Sequence, residues 1–342
     1  MTQETQESTQ QHKAQRATRA DVARLAQVST AVVSYVMNNG PKKVAPATSA
    51  RVRQAAQALN YRPNSAARAL RKGASEMFGV IVPDFRNPYF ASINDAIEME
   101  ASRHGYSTMF LASHASADAE RASIEKLLLR NVDGIFTAPE QSAAQLAAVD
   151  RQGCPFVLLD NFRSVPGCKC VASDFIDGVE QVVRHLVGHG RTGTVMLFGG
   201  ELPSPDGRVQ GWYQAHQRLG IPTGPILRSD FTNDGAYDAV NAMLEKGERP
   251  DALFVSSDFE ALGALRALHE RGVRIPEDIA VVSFDGTFMC ENTWPQLTSV
   301  RQDVAAIARA AVAAALDRNA PDTQTIPVAF DIRQSCGCEM RV

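Results

Sequence analysis

The chain has 342 residues, 44% of them hydrophobic, with 35 Lys and Arg against 38 Asp and Glu for a formal net charge of −3. That length fits two or three soluble globular units with ample material for buried cores. No apolar run approaches the ~20 residues needed to span a bilayer, and the opening MTQETQESTQQHKAQ lacks the apolar stretch of a secretory signal. Residues 1–16 therefore read as a disordered tail, and a cytoplasmic location without membrane contact is expected.

Thr18 to Asn39 (TRADVARLAQVSTAVVSYVMNN) reads as two short helices joined by a tight turn. On the first, Val22, Ala23, Leu25 and Ala26 are placed to face a small core. Val28-Ser29 breaks the pattern, and Ser29 is positioned to cap a second helix from Thr30 to about Met37. Val32, Val33, Val36 and Met37 supply its apolar contacts, which leaves Thr30, Ala31, Ser34 and Tyr35 outward. Two helices packed across a turn, with small polar side chains opening the second, form the helix-turn-helix of DNA readers. Charge supports that reading. Residues 1–74 hold twelve Lys and Arg but three Asp and Glu, a net +9, whereas the remainder holds 23 against 35, a net −12. A basic module on an acidic body suits a polyanion at one end of the molecule.

After the basic loop NNGPKKVAP, Pro46 suits the first turn of a third helix through Ala50, Val52, Ala55, Ala56 and Leu59. A nine-residue stretch from Asn64, stopped by Gly73, is too short to hold as a helix alone in water. From Met77 the pattern alternates. Strands are expected at FGVIVPD, YSTMFLAS, VDGIFTAP, CPFVLLD, CKCVASD, TVMLFGG, ILRSDF, ALFVSSD and IAVVSFDG. Helices are expected at Tyr89–His104, Ala117–Arg130, Ala143–Arg151, Gly178–Val187, Gly211–Leu219, Ala236–Glu245 and Glu260–Arg271. Short apolar strands separated by amphipathic helices imply parallel sheets covered on both faces, two of them by length. Ligands then bind beyond the carboxyl ends of the strands, where Pro83-Asp84, Asp160-Asn161, Ser257-Asp258 and Asp285-Gly286 lie.

The cysteines Cys154, Cys168, Cys170, Cys290, Cys336 and Cys338 are scattered, so reduced thiols are expected. Two Cys-x-Cys pairs invite a metal reading, but zinc knuckles use two to four intervening residues. No metal and no cofactor is assigned. Catalytic signatures such as G-x-S-x-G, a phosphate loop, a dinucleotide fingerprint or H-E-x-x-H are missing from the sequence, and an enzyme is not expected.

The stretches DVARLAQVSTAVVSYVMN, RVRQAAQALNYRPNSAARALRKG, GVIVPDFRNPYF, VDGIFTAP, GRVQGW, LFVSSDFEALGAL, VRIPEDIAVVSFDG and PQLTSVRQD, in this order and spacing, resemble the lactose-repressor (LacI/GalR) family of bacterial transcription regulators. The resemblance runs from about Thr18 to the closing RQSCGC. It implies an all-α helix-turn-helix headpiece (17–61), a hinge helix (62–74) and an α/β two-lobed core like periplasmic binding proteins. In that core two parallel sheets are joined by three crossovers, with lobes at 75–173 plus 300–331 and 174–299 plus 332–342.

It further implies a homodimer on a near-palindromic double-stranded DNA operator, controlled by a small effector in the interlobe cleft. The effector class is sugar-like, with sugar acids, phosphosugars and nucleosides or purines as alternatives. A sugar-binding transport module is the remote alternative. By resemblance Thr30, Ala31 and Tyr35 read bases, while Ser29, Ser34, Lys42, Lys43 and Arg51 contact phosphates. Asn64, Leu70 and Arg71 belong to the hinge, with Leu70 wedged into the minor groove. In the cleft it assigns Tyr89, Phe90, Asp160 and Asn161 from one lobe, and Arg208, Phe231, Ser257 or Asp258, and Asp285 from the other.

Several positions depart from the family pattern, among them Val304, where some relatives place an aromatic against the ligand. Gln27 stands where glycine is common in the turn, and a left-handed non-glycine residue there costs about 1 kcal/mol. Ala45 replaces a capping serine before the third helix, a loss of about 1 kcal/mol. Tyr35 replaces an arginine or histidine, which removes a bidentate guanine contact.

Overall fold

The computed structural model describes residues 17–38, 42–62, 73–161, 163–202, 204 and 206–338. They form two units that divide after Ser75.

In the first unit α1 spans Arg19–Ala26, α2 Thr30–Met37 and α3 Pro46–Ala58. Thr18 and Asp21 form a reciprocal capping box that satisfies the first amides of α1, the Thr18 amide reaching Asp21 Oδ2 at 2.9 Å. Gln27 ends α1 in the left-handed region at φ 53°, so the strain read from the sequence is present. Ser29 caps α2 by accepting from the Val32 amide at 3.3 Å. The small core gathers Val22, Ala23, Ala26, Val33, Val36, Val52, Ala55 and Ala56. Leu25, expected in that core, is instead 54% exposed, because its neighbours already fill the space between three short helices.

Ala45 makes no side-chain cap to α3. Ala45→Ser should restore one and stabilise α3 by about 1 kcal/mol. Amide hydrogen exchange in the intact chain would read this as roughly fivefold greater protection of α3; unchanged exchange would count against a missing cap.

The second unit is built on two six-stranded sheets. In chain order the first lobe contains β1 (Met77–Val82), α4 (Pro88–Arg103), β2 (Ser107–Ala112), α5 (Ala117–Leu128), β3 (Gly134–Thr137), α6 (Ala143–Ala147), β4 (Phe156–Leu159) and β5 (Lys169–Ser173). The second lobe follows with α7 (Phe175–Gly188), β6 (Thr194–Gly199), α8 (Gly207–Leu219), β7 (Ile226–Ser229), α9 (Asn233–Glu245), β8 (Ala252–Val255), α10 (Asp258–Glu270), β9 (Ala280–Asp285) and β10 (Thr298–Gln302). The chain then returns for α11 (Val304–Leu316) and β11 (Thr323–Ile326), and leaves again for β12 (Val328–Asp331).

The sheet orders are β11-β5-β4-β3-β1-β2 and β12-β10-β9-β8-β6-β7. Each sheet thus reverses direction beside its first strand, with β1 between β2 and β3 and β6 between β7 and β8. Such reversals open a crevice at the carboxyl ends of the strands. The strand interiors are buried continuous apolar runs such as FVLL and ALFV, as sheets covered on both faces require. Helices α4 and α11 cover one face of the first sheet with Ile93, Ile97, Ile307 and Val312, and α5 covers the other with Ile124 and Leu127. In the second lobe α7 and α8 bring Val179, Val182 and Trp212 to one face, and α9 and α10 bring Val240, Met243, Ala264 and Leu268 to the other.

The chain crosses between lobes three times, after β5, after β10 and after β11. Two expected boundaries move. β10 pairs with β9, and β12 pairs antiparallel with β10, so residues 298–302 and 328–331 belong to the second lobe. The first lobe's returning segment is 303–327. Pro327 lies between β11 and β12 and, having no amide to donate, breaks the ladder where the chain changes sheet. The second sheet is accordingly mixed, with an antiparallel edge strand.

Candidate functional site

The cleft is assembled from the residues that follow strand ends. Asn87 caps α4 and Pro88 fills its first turn, which sets Tyr89 at the helix start. Tyr89 Oη donates to Asp160 Oδ1 at 2.6 Å. Asp160 directly follows β4 and holds φ 55°, a conformation Asp tolerates better than most residues.

From the other lobe, Asp206 caps α8 by accepting the Arg208 amide at 2.8 Å. The same carboxylate accepts from Arg208 Nε at 3.0 Å and Nη2 at 2.8 Å, a bidentate pair. Arg208 Nη1 donates to the Ser256 carbonyl at 3.0 Å. The guanidinium is ringed by Phe175, Phe231 and Phe284, with ring centres 5.2, 5.7 and 5.9 Å from its carbon. A guanidinium has five N–H donors; with three engaged inside the second lobe, two make no bond among the described residues.

Phe231 sits at φ 61° and packs against the first lobe's core, so it spans the cleft wall. It can take that place because residue 199 is glycine: a Cβ there would lie 2.4 Å from Phe231 Cα. Asp285 closes the floor, accepting from Gln302 Nε2 at 2.9 Å, while Gln302 Oε1 accepts from Ser173 Oγ at 2.6 Å. This chain of bonds runs from the end of β5 to the ends of β10 and β9, beside two of the crossings.

Burial dominates the electrostatics. It raises the Asp160 carboxyl to about 6, against the Tyr89 bond and the Arg208 charge, with Asp206 adding repulsion. Burial and the neighbouring Asp258 push Asp285 well above the ordinary carboxylate range, although Arg208 and Gln302 counter them. Burial would lower Arg208, but Asp206, Asp285 and Asp160 together raise it. Burial would raise Asp206, yet Arg208 holds it below its ordinary value. The cleft thus contains one fixed ion pair and two carboxyls displaced toward their acid forms.

Other expected cleft residues serve different ends. Phe90 is only 6% exposed and belongs to the first lobe's core. Asn161 folds its side chain onto the Arg163 amide at 3.0 Å. Ser257 caps α10 and donates to Glu260, which also accepts from Ser229 and Ser256. Asp258 is fully occupied as a brace, accepting from Ser283 at 2.5 Å, Ser299 at 2.7 Å and the Thr287 amide at 2.6 Å. Both Ser257 and Asp258 are fully buried. Asp206, Gln302, Phe175 and Phe284 went unnoticed in the sequence. Asp206 alone carried a local signal, as an Asp directly before the helix start GRVQGW.

In the first unit Ser29, Thr30 and Ala31 are exposed at the start of α2, with Ser34 and Tyr35 half-buried further along it. Lys42, Lys43 and Arg51 are exposed. The amino terminus of α2 thus presents unpaired amides and small side chains, which suits phosphate contact. Asn64, Leu70 and Arg71 lie outside the described residues.

Residues 18–64 match the family described as "Bacterial regulatory proteins, lacI family", and residues 75–329 match "Periplasmic binding proteins and sugar binding domain of LacI family". The chain belongs to the lacI family. Among its relatives, Catabolite control protein A of Priestia megaterium is 31% identical over 326 residues, 92% of this chain and 98% of that protein. The HTH-type transcriptional repressor CytR of Escherichia coli is 32% identical over 88% of this chain and 89% of that protein. Among solved structures, the lac repressor dimer bound to operator and the anti-inducer ONPF superposes with a TM-score of 0.84 at 27% identity, covering 94% of this chain and 99% of that one. The chain is thus a lacI-family DNA-binding transcription regulator with a helix-turn-helix headpiece and a core like periplasmic binding proteins. Among the described residues no helix is long and apolar enough to cross a membrane.

Proposed function

We propose that this chain is a repressor whose homodimer reads a near-palindromic operator, and that a neutral polyhydroxylated molecule in the interlobe cleft sets its DNA affinity. One observation carries the reading. Arg208, with two N–H groups to spare, faces Asp160 of the opposite lobe, so one ligand can bond both lobes and hold them closed. A guanidinium and a carboxylate suit vicinal hydroxyls, and the half-buried Phe231 offers apolar surface to a ring.

The charge balance argues against an anionic ligand. Asp206 already neutralises Arg208, and Asp160 adds negative charge above about pH 6. A sugar or a nucleoside ribose is therefore favoured over a sugar acid or phosphosugar. Solved relatives are consistent with this class, one LacI-family regulator from Enterococcus faecium being described with bound ribose and another from Lactobacillus casei with bound sucrose. An effector that binds the two cleft conformations unequally shifts the dimer between DNA affinities by that difference.

Selection of the full chain against a random duplex pool should enrich a two-fold symmetric site, bound with an affinity that falls steeply as salt rises. A thermal-shift screen of neutral sugars and nucleosides should then find a compound that stabilises the chain by a few kcal/mol near saturation and alters operator affinity. Enrichment of an asymmetric site would sink the dimeric reading. Stabilisation by anionic compounds alone would sink the neutral-ligand reading.

A further inference from the structure

The two Cys-x-Cys pairs look alike in sequence and differ in the fold. Cys168 and Cys170 are buried in the first lobe, where Cys168 Sγ accepts from Arg151 and Cys170 Sγ donates to the Arg163 carbonyl. Cys336 and Cys338 follow β12 and lie against the end of α7, whose last turn carries His185 and whose C-cap is His189. That i, i+4 spacing puts both imidazoles on one face of the helix. His189 Nε2 is 3.2 Å from Cys338 Sγ, and His185 Nε2 is 3.7 Å from the same sulfur. The ligating atoms of His185, His189 and Cys338 all lie within 4.8 Å of one another. Cys336 stands within hydrogen-bonding reach of both His185 and Cys338.

We propose that His185, His189, Cys336 and Cys338 form a zinc site that fastens the carboxyl-terminal segment to α7. The dimensions fit. With Zn–S near 2.3 Å and Zn–N near 2.05 Å, a tetrahedral site has S···N edges of about 3.6 Å; the two separations above bracket that value. Two thiolates and two imidazoles in a tetrahedral arrangement select zinc over the harder cations, which prefer oxygen.

The surroundings hold the ligands in place. The His185 ring packs edge-on to Phe330 of β12, with centroids 5.1 Å apart, and Cys336 Sγ accepts from Thr298 Oγ1 at 3.2 Å. His189 is exposed and Cys338 half-buried, so an ion has a route in. On binding, each thiol releases its proton to solvent, and two thiolates neutralise the dication. The site is closed, with four protein ligands, and is structural rather than catalytic.

The test uses the full chain, reduced and stripped with chelator, then titrated with cobalt(II) and back-titrated with zinc(II). Cobalt should develop the visible bands of tetrahedral coordination with a near-ultraviolet thiolate band, and zinc should bleach both at one ion per chain. Cys338→Ser and His189→Gln, both at accessible positions, should each weaken binding by at least about tenfold, whereas Cys154→Ser should leave it unchanged. Absence of a thiolate band, or unchanged zinc affinity in the Cys338→Ser/His189→Gln double variant, would overturn the proposal. Unaltered far-ultraviolet circular dichroism of the variants separates loss of the site from loss of the fold.

Discussion

Arg208→Ala should destabilise the second unit by about 3–5 kcal/mol at neutral pH, because it removes one partner of a buried ion pair and leaves the other uncompensated. Asp206 would lose its bidentate partner, and Asp160 and Asp285 would lose the charge that offsets their burial. The Ser256 carbonyl and three aromatic rings would lose the guanidinium as well.

The deficit should depend on pH in a defined direction. In the wild type Asp206 is held below 3.8, so its contribution is present above that value and fades as pH falls through the lower folded one. The gap between variant and wild type should therefore be widest above 3.8 and narrow as pH falls below it. Arg208→Lys keeps the charge but not the planar fork and should fall between the two. Urea denaturation across pH measures this directly. Equal stability of Arg208→Ala and wild type at pH 7 would show that the guanidinium is not the keystone of the cleft. The alanine variant should also lose any effector-induced thermal shift.

Asp160→Asn should move stability the other way. Burial lifts this carboxyl from 3.8 to about 6. Its ionised form is thus disfavoured in the folded state, by about 3 kcal/mol at roughly 1.4 kcal/mol per pH unit. The sign follows from the raised value: the penalty is absent below 3.8, grows between 3.8 and about 6, and is complete above. Asparagine tolerates the left-handed backbone at this position and still accepts from Tyr89, but it never ionises. The variant should be more stable than wild type at pH 7 by up to about 3 kcal/mol and converge with it near pH 4. Effector affinity should fall by about 1.5–3 kcal/mol, the value of a hydrogen bond to a charged acceptor. Denaturation at pH 4 and 7 with calorimetric titration of the effector tests both halves. A less stable variant at pH 7 would mean that the ionised carboxylate is better compensated than its burial implies.

Local chemistry was legible in the sequence, whereas contacts set by distant pairing were not. Ser29 and Pro46 announced helix starts through capping and fixed φ, and the strands stood out as short apolar runs between amphipathic stretches. Asp160 stood out because it lies where a strand ends, whereas Arg208 was assigned by the family resemblance. Phe90 looked like a ligand contact and is core, since an aromatic at a helix start gives no sign of which face it shows. Ser257 and Asp258 were read as cleft groups, but their oxygens are spent on a cap and on braces that sequence spacing does not reveal. Gln302 meets Ser173 across 129 positions of chain. His189 meets Cys338 across 149, so neither the H-x-x-x-H spacing nor the C-x-C pair alone disclosed the cluster.

The threading of the core bears on its synthesis. α11 delivers Ile307, Ala308, Ala311 and Val312 to the first lobe's core, and β11 seals the β5 edge of its sheet. Both segments are translated after all but β12 of the second lobe. A nascent chain that has reached residue 300 therefore carries a first lobe with an open strand edge and an uncovered apolar face, the surfaces through which incomplete chains aggregate. The first half of the core waits on the ribosome for the end of the second. Premature termination between residues 303 and 326 would therefore damage the amino-terminal lobe, although its stop lies far downstream of that lobe's first five strands.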